Sequence, residues 1–415
     1  MLMNMLRRLG FCAWFIIFGL INNVSARDLR NVTEPKTPET CLSVQASGGE
    51  DTEAIQIALD SCTEGKAVAL SPGTFYSGPL LIPSGVSLLV SHGATLKALA
   101  DPELYDLGAN TCGTLNEYGV GCKAFITMVG AIGSGIYGRG TIDGQGNVTM
   151  AGRNISWWDL SKAAQRAGNF QNNPRLVQIN NSLDITLYQV TLINSPFYTV
   201  ASSETNGFTV WGVTILAPAS ARNTDGIDPI GSQNVTIAHC YISIGDDNVA
   251  IKALTAPSRH ISVLNNHFDS GNGMCIGSEV NHGASDVTVS GITFNGSKNG
   301  VHIKSNTFRG GHVTRISYSN LCMYNVQKPI HMDMEYAHLR GNRTPEFHDI
   351  SLSNVRVLTK GMFMLHGLSE SDPVYVRLKD VHITKDSEWF TSNAVITGTY
   401  IDDVGDESCG YTGNN

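Results

Sequence analysis

Asp225-Gly226-Ile227-Asp228, Asp247-Asn248-Val249-Ala250, Asn272-Gly273-Met274-Cys275 and Asn299-Gly300-Val301-His302 are one line written four times. The lines recur about 22 to 27 residues apart, the length of one coil of a repeating fold. In each, the first residue is acidic or an amide, the second is Gly or Asn, and the third is apolar. That pattern describes a tight turn entering a strand, with a positive φ expected at the second position. A further apolar residue or proline follows two residues later (Pro229, Ile251, Ile276, Ile303). Odd positions are therefore expected to form an inward column and even positions an outward one. The acidic first positions should share a single turn column.

Outward from this ladder the same beat continues. Ile185-Thr186-Leu187, Phe208-Thr209-Val210, Val235-Thr236-Ile237, Ile261-Ser262-Val263, Val287-Thr288-Val289, Ile316-Ser317-Tyr318 and Ile350-Ser351-Leu352 alternate apolar and hydroxyl residues. They are spaced about 23 to 34 residues apart, with Gly or Asn at the corners between them. No helical pattern separates these beats, which disfavours a βα repeat. Antiparallel hairpins of a β-sandwich would not keep like residues in register over so many repeats. The sequence therefore predicts an all-β, single-stranded parallel β-helix. From Ala67 onward strands should dominate. Before them, Asp51 is placed to cap a short helix with Ile55, Ala58 and Leu59 on one face, covering the open end of the coil.

Arg7 and Arg8 precede an apolar run from Phe11 to Ile21, and Val24-Ser25-Ala26 closes it with small residues. The run is too short to span a bilayer, so residues 1–26 are expected to be a secretion signal and 27–415 one β-helical domain. Eight cysteines remain after the signal, an even number suited to disulfides in an oxidising compartment. Cys41 with Cys62 and Cys112 with Cys122 are the short-loop pairings expected. Sequons at Asn31, Asn147, Asn154, Asn180, Asn234, Asn295 and Asn342 are compatible with a glycoprotein. The net charge is −8 and only 15% of residues are charged. No basic stripe tracks phosphate, which argues against nucleic acid as a partner.

Asp225 and the pair Asp246-Asp247 fall one coil apart, so the fold should bring three carboxylates to one patch. Carboxylates in register repel, which raises at least one pKa and leaves a protonated acid beside an ionised base. A glycosidase needs that division of labour. Asp228 and Asp286 are expected instead to bond the backbone of turns.

Asn223-Thr224-Asp225-Gly226, Gly245-Asp246-Asp247, Gly271-Asn272-Gly273-Met274-Cys275-Ile276-Gly277-Ser278-Glu279 and His302-Ile303-Lys304 resemble, in order and spacing, the four signature blocks of the polygalacturonases of glycoside hydrolase family 28. The resemblance extends over nearly the whole mature chain. It implies a right-handed parallel β-helix that hydrolyses α-1,4-linked galacturonan with inversion and without a cofactor. By the same resemblance Asp246 is the general acid, and Asp225 and Asp247 hold and activate water. Lys304 binds a substrate carboxylate, Tyr336 contacts substrate, and Asn223 lies in the substrate-binding block. The implied partner is pectin alone, with no nucleic acid and no membrane, and the chain is expected to be a secreted monomer.

Two positions depart from the family pattern. Asn272 stands where the third block has histidine, and His302 stands where the fourth has arginine. An asparagine keeps a hydrogen bond but carries no charge, and a histidine reaches less far than arginine and is charged only in acid. A catalytically silenced pectin-binding paralogue is therefore an alternative to the hydrolase. Rhamnogalacturonan hydrolysis is a third reading, disfavoured by the form of the first two blocks. Cleft cations are expected from Lys252, Lys304, Arg222 and a protonated His302, with His302 or His267 able to compensate for Asn272. Glu279 is expected to line the cleft or form a salt bridge. His331-Met332-Asp333 and His338 lack the paired spacing of a zinc site, so no metal is predicted.

Overall fold

The computed structural model describes residues 27–116 and 119–404; the expected signal segment lies outside them. Parallel strands stack rung upon rung into a β-helix. Eleven of them form one sheet, from Leu80–Leu81 through Val177–Asn180, Ile227–Ile230, Val249–Ile251, Met274–Gly277, Asn299–Lys304 and Lys328–Asp333 to Glu388–Ser392. The other rung faces belong to a twenty-stranded sheet.

The four-line ladder is in register as expected: Ile227 pairs with Val249, Val249 with Met274, and Met274 with Val301. These four and Ile251, Ile276 and Ile303 are fully buried, forming the inward columns. The beats of the second sheet also align. Thr186 pairs with Thr209, Thr209 with Thr236, Thr236 with Ser262, Ser262 with Thr288, Thr288 with Ser317, and Ser317 with Ser351. Aliphatic and aromatic residues flank each hydroxyl inward, so every rung buries its apolar pair on the rung below.

The turn geometry differs from expectation. Only Gly273 of the second-position residues has a positive φ, 82°. Gly226 is required for a different reason: a Cβ there would lie 2.4 Å from the Asn248 carbonyl oxygen. The left-handed corners fall elsewhere, on a column formed by Asp184, Gly207, Asn234, His260, Asp286, Arg315 and Asp349. Asn and Asp tolerate that region better than most residues, which explains part of this column but not Arg315.

The entry helix spans Thr52–Ser61 and buries Ile55, Ala58 and Leu59 against the first rungs. Asp51 precedes it but does not cap it. Its carboxylate instead accepts from Ser47 N at 2.9 Å and Tyr76 N at 3.3 Å, tying the helix to the first coil. Two further helices, Pro102–Tyr105 and Trp157–Ala167, are not among the sequence expectations, and the longer is the one beside the site. Its signals are present: a Ser156/Asp159 capping box and Gly168 at the C-terminus with φ 65°.

Both short-loop disulfides form, Cys41–Cys62 and Cys112–Cys122, and Cys322 is disulfide-bonded as well. Cys240 and Cys275, by contrast, are free and buried, so the even count does not translate into four bridges. Among the described residues no helix is long and apolar enough to cross a membrane.

Candidate active site

Asp225, Asp246 and Asp247 meet on the outer face of the eleven-stranded sheet, where one oxygen of each lies within 4.8 Å of the others. Backbone bonds fix this meeting. Gly226 N donates to Asp247 O at 2.9 Å, and Asn272 N donates to Asp246 O at 2.7 Å. Asn248, fully buried, bridges neighbouring rungs by donating to Ile242 O and Ser270 O and accepting from Gly273 N.

The three carboxylates have different surroundings. Asp247 is 2% exposed, and its Oδ2 lies 2.7 Å from Lys304 Nζ. Burial alone would push its pKa up, but Lys304 and Lys252 outweigh it and hold the carboxyl below the usual range. Asp246 is half-buried and touches only neutral donors. Its Oδ1 accepts from Asn272 Nδ2 at 2.9 Å and Asp247 N at 3.0 Å, and its Oδ2 accepts from Asn223 N and Nδ2. Burial, and then the charge of Asp247, raise its pKa. Asp225 shares Lys252 with Asp228, at 3.0 and 3.2 Å from Nζ. One ammonium cannot neutralise two buried carboxylates, and burial pushes Asp225 well up and Asp228 to about 7. Asp247 is thus the ionised member, while Asp225 and Asp246 are both pushed toward holding a proton, and of those two only Asp246 has no lysine on it.

Asp228 was expected at a turn backbone. It lies instead in strand Ile227–Ile230, fully buried, bound to Lys252. Asp286 does sit at a left-handed corner, but its carboxylate takes both oxygens to Arg315 rather than to backbone.

The expected cleft cations also need correction. Lys252 and Lys304 are buried and consumed by the aspartates, and Lys252 also lies 4.1 Å above the Tyr198 ring. His302 is 4% exposed, stacked on His331 at 4.5 Å and edge-on to Tyr336 at 5.9 Å. Burial, with Lys304 nearby, pushes its pKa well below the ordinary value, so His302 is neutral rather than protonated. His267 belongs to the other sheet, bonded to Asp269 and Thr293, and does not stand in for a histidine at 272. Asn223 and Asn272 are both turned to Asp246, and Asn223 is itself held by Gln171 Nε2 at 3.0 Å. Tyr336 borders Lys304, whose Nζ lies 5.3 Å from its ring centre. Arg222 donates to Ser161 O on the unforeseen helix, and Glu279 pairs with Arg309 at 2.8 Å.

Residues 77–400 match the family described as glycosyl hydrolases family 28. The chain belongs to that family. Among curated family 28 relatives it is similar to an endo-polygalacturonase of Pectobacterium parmentieri, 47% identical over 384 residues, covering 90% of this chain and 95% of the relative. A polygalacturonase of Ralstonia solanacearum is 38% identical over 351 residues, covering 74% of this chain and 66% of its own. Among solved structures, the polygalacturonase from Erwinia carotovora ssp. carotovora superposes with a TM-score of 0.85 at 44% identity, over 89% of this chain and all of its own. This chain is a glycoside hydrolase on the right-handed parallel β-helix of that family, as the sequence implied.

Reading the sequence missed three contributors to the site: Asp228 as a charged partner, Tyr198 as the ring beneath Lys252, and Cys275 as a neighbour of Asp247. For Asp228 and Cys275 a signal existed, since both are outward positions of the quoted ladder. Tyr198 sits outside every block, and nothing in its local sequence marks it.

Proposed function

We propose that this chain is a secreted hydrolase of α-1,4-linked galacturonan, with residues 27–415 forming one domain after removal of a signal at 1–26. The relatives that bear the name polygalacturonase support the substrate class. The observation that carries the chemistry is the contrast between Asp246, held only by neutral donors, and Asp247, held by a lysine. Asp246 protonates the glycosidic oxygen as the C1–O bond breaks. Water bonds to C1 and gives its proton to Asp247, while Asp225 holds that water. Tyr336 and the ring of His302 line the sugar path.

The carboxylates stand closer than the roughly 6.5–9.5 Å that separates acid and base in most inverting glycosidases. Inversion is nevertheless the reading we favour. Asp225 and Asp247 each have a lysine on Oδ2 and an Oδ1 without a hydrogen-bond partner, a two-acceptor cradle suited to water rather than one isolated nucleophile. Proton NMR of the first product decides the matter: the β-anomer is expected first, and the α-anomer first would replace water attack by a covalent intermediate on Asp247.

Asn272 preserves the hydrogen bond to Asp246 without charge, and neutral His302 offers a substrate carboxylate no cation. The rate is therefore expected to be low. In a reducing-end assay on polygalacturonic acid, Asn272→His with His302→Arg should raise kcat/KM on the order of a hundredfold. A native chain no faster than its Asp246→Asn variant, yet still retained on polygalacturonate, would make it a binding protein instead.

A further inference from the structure

We propose that Asp247, Cys275 and His302 form a buried binding site for a divalent cation, zinc or cobalt, under the outer face of the eleven-stranded sheet. The three lie on successive rungs, and Cys275 and His302 are direct register partners. One donor atom of each lies within 4.8 Å of the other two, and Cys275 Sγ is 3.8 Å from His302 Nδ1. Metal–ligand bonds of about 2.0–2.3 Å set the donors of a tetrahedral zinc site roughly 3.3–3.7 Å apart. The sulfur–nitrogen edge needs a contraction of a few tenths of an ångström, and the edges to Asp247, within 4.8 Å, close by side-chain rotation of up to about an ångström.

The three side chains are 2%, 0% and 4% exposed. Lys304 fixes Oδ2 of Asp247, and Oδ1 is buried without a hydrogen-bond partner. The carboxylate is thus already oriented, with one oxygen free for a ligand. Thiolate, imidazole and carboxylate together suit zinc or cobalt, whereas calcium and magnesium prefer all-oxygen cages. Binding forms three metal–ligand bonds and releases one proton, that of the Cys275 thiol, to solvent. The fourth position remains for water on the cleft side. The pairing of Cys275 with histidine depends on one of this chain's departures from the family pattern, because an arginine at 302 offers no ligand.

The consequence for the reaction rests on the proposed hydrolase reading: a cation on Asp247 Oδ1 occupies the oxygen assigned to water activation, so metal and hydrolysis exclude one another. The site itself does not depend on that reading and has its own spectroscopic test. Chelator-treated full-length protein titrated with cobalt(II) should develop a near-ultraviolet sulfur-to-cobalt charge-transfer band, bleached by zinc. The band should vanish in Cys275→Ser and in His302→Arg, and persist in Cys240→Ser, which removes the other free thiol among the described residues. A surface trio, His312, Glu346 and His348, can also gather a cation, but it has no sulfur and gives no such band. No band in cobalt excess, or a band that survives Cys275→Ser, overturns the site. Zinc should also slow hydrolysis reversibly, and Cys275→Ser should be insensitive relative to its own metal-free rate. A band with no inhibition keeps the metal site and removes Asp247 from the reaction.

Discussion

The two outward faces of this coil are built by the same repeat and differ in kind. On the twenty-stranded sheet the column Thr186, Thr209, Thr236, Ser262, Thr288, Ser317 and Ser351 presents a neutral hydroxyl at every rung. The N-terminal segment lies across part of it: Thr236 donates to Asp28, Asp28 N to Ser262, and Arg30 to Thr209. On the eleven-stranded sheet the matching column reads Gln178, Ala201, Asp228, Ala250, Cys275, His302 and His331, and it changes character from rung to rung. The first column is interchangeable scaffold. In the second, ionisable groups are desolvated at a cost only local partners offset, and such groups concentrate at functional sites.

The largest test of that contrast is Asp246→Asn. The carboxamide keeps the shape and one of the two acceptor oxygens, turning its amino group toward donors on the other side, and has no proton to give the leaving oxygen. General acid catalysis contributes about 10²–10⁴-fold, so kcat on polygalacturonic acid should fall on the order of a thousandfold. A loss below about tenfold would remove Asp246 from its assigned role.

Next comes Lys252→Met, which deletes one cation from the charged face. It strands Asp225 and Asp228, both buried, without a counter-charge. Breaking a buried pair in this way costs about 3–5 kcal/mol where the carboxylates are ionised, so the loss, read from urea unfolding midpoints, should be largest in alkaline solution and shrink in acid as Asp225 and Asp228 take up protons. A variant as stable as the parent would mean that the two aspartates are already neutral, and the contrast between the faces would lose its electrostatic content.

The periodic part of this molecule was legible in the sequence because stacking demands it: each beat had to match the rung below, and every beat did. The meeting of the three carboxylates was legible for the same reason, since register alone placed Asp225 beside Asp247. What register does not encode is who satisfies whom. Asp228 closes the ladder's first line and Lys252 stands two residues beyond the second, both on the outward side, and only side-chain geometry shows them joined. Protonation states were misjudged on the same ground. Sequence counts His302 as a potential cation, but burial behind Tyr336 and Lys304 keeps it neutral. The helix at 157–167 carried its capping box in plain view and was lost among strand signals.

Asp228 sharpens the contrast through pH. Its pKa is raised to about 7 by burial, above the ordinary 3.8, so the folded state holds the proton more tightly than the unfolded chain. Its contribution to stability is therefore fully present below about pH 4, declines as pH rises toward 7, and is level beyond. Asp228→Asn mimics the protonated form and abolishes that decline. Thermal melts of variant and parent should draw apart from pH 4 to pH 8, with the variant gaining. Parallel curves would place the titration on another group, Asp225 being the nearest.

The smallest effect belongs to the scaffold face. Arg315 clasps Asp286 with two hydrogen bonds of 2.7 Å, a better geometry than the bonds Lys252 makes, yet its side chain is 54% exposed. Water already solvates the guanidinium although Asp286 is buried, so Arg315→Ala should cost about 1–2 kcal/mol, well short of Lys252→Met, and less in high salt. A further comparison separates the ion pair from the backbone. Arg315 occupies a left-handed corner with φ 56°, which costs a non-glycine residue roughly 1–2 kcal/mol. Arg315→Gly loses the same ion pair but relieves that strain, so it should unfold at a higher denaturant concentration than Arg315→Ala and close to the parent. If the alanine variant instead loses as much as Lys252→Met, exposure is not what divides the two faces, and the ion pairs of the corner column carry stability in their own right.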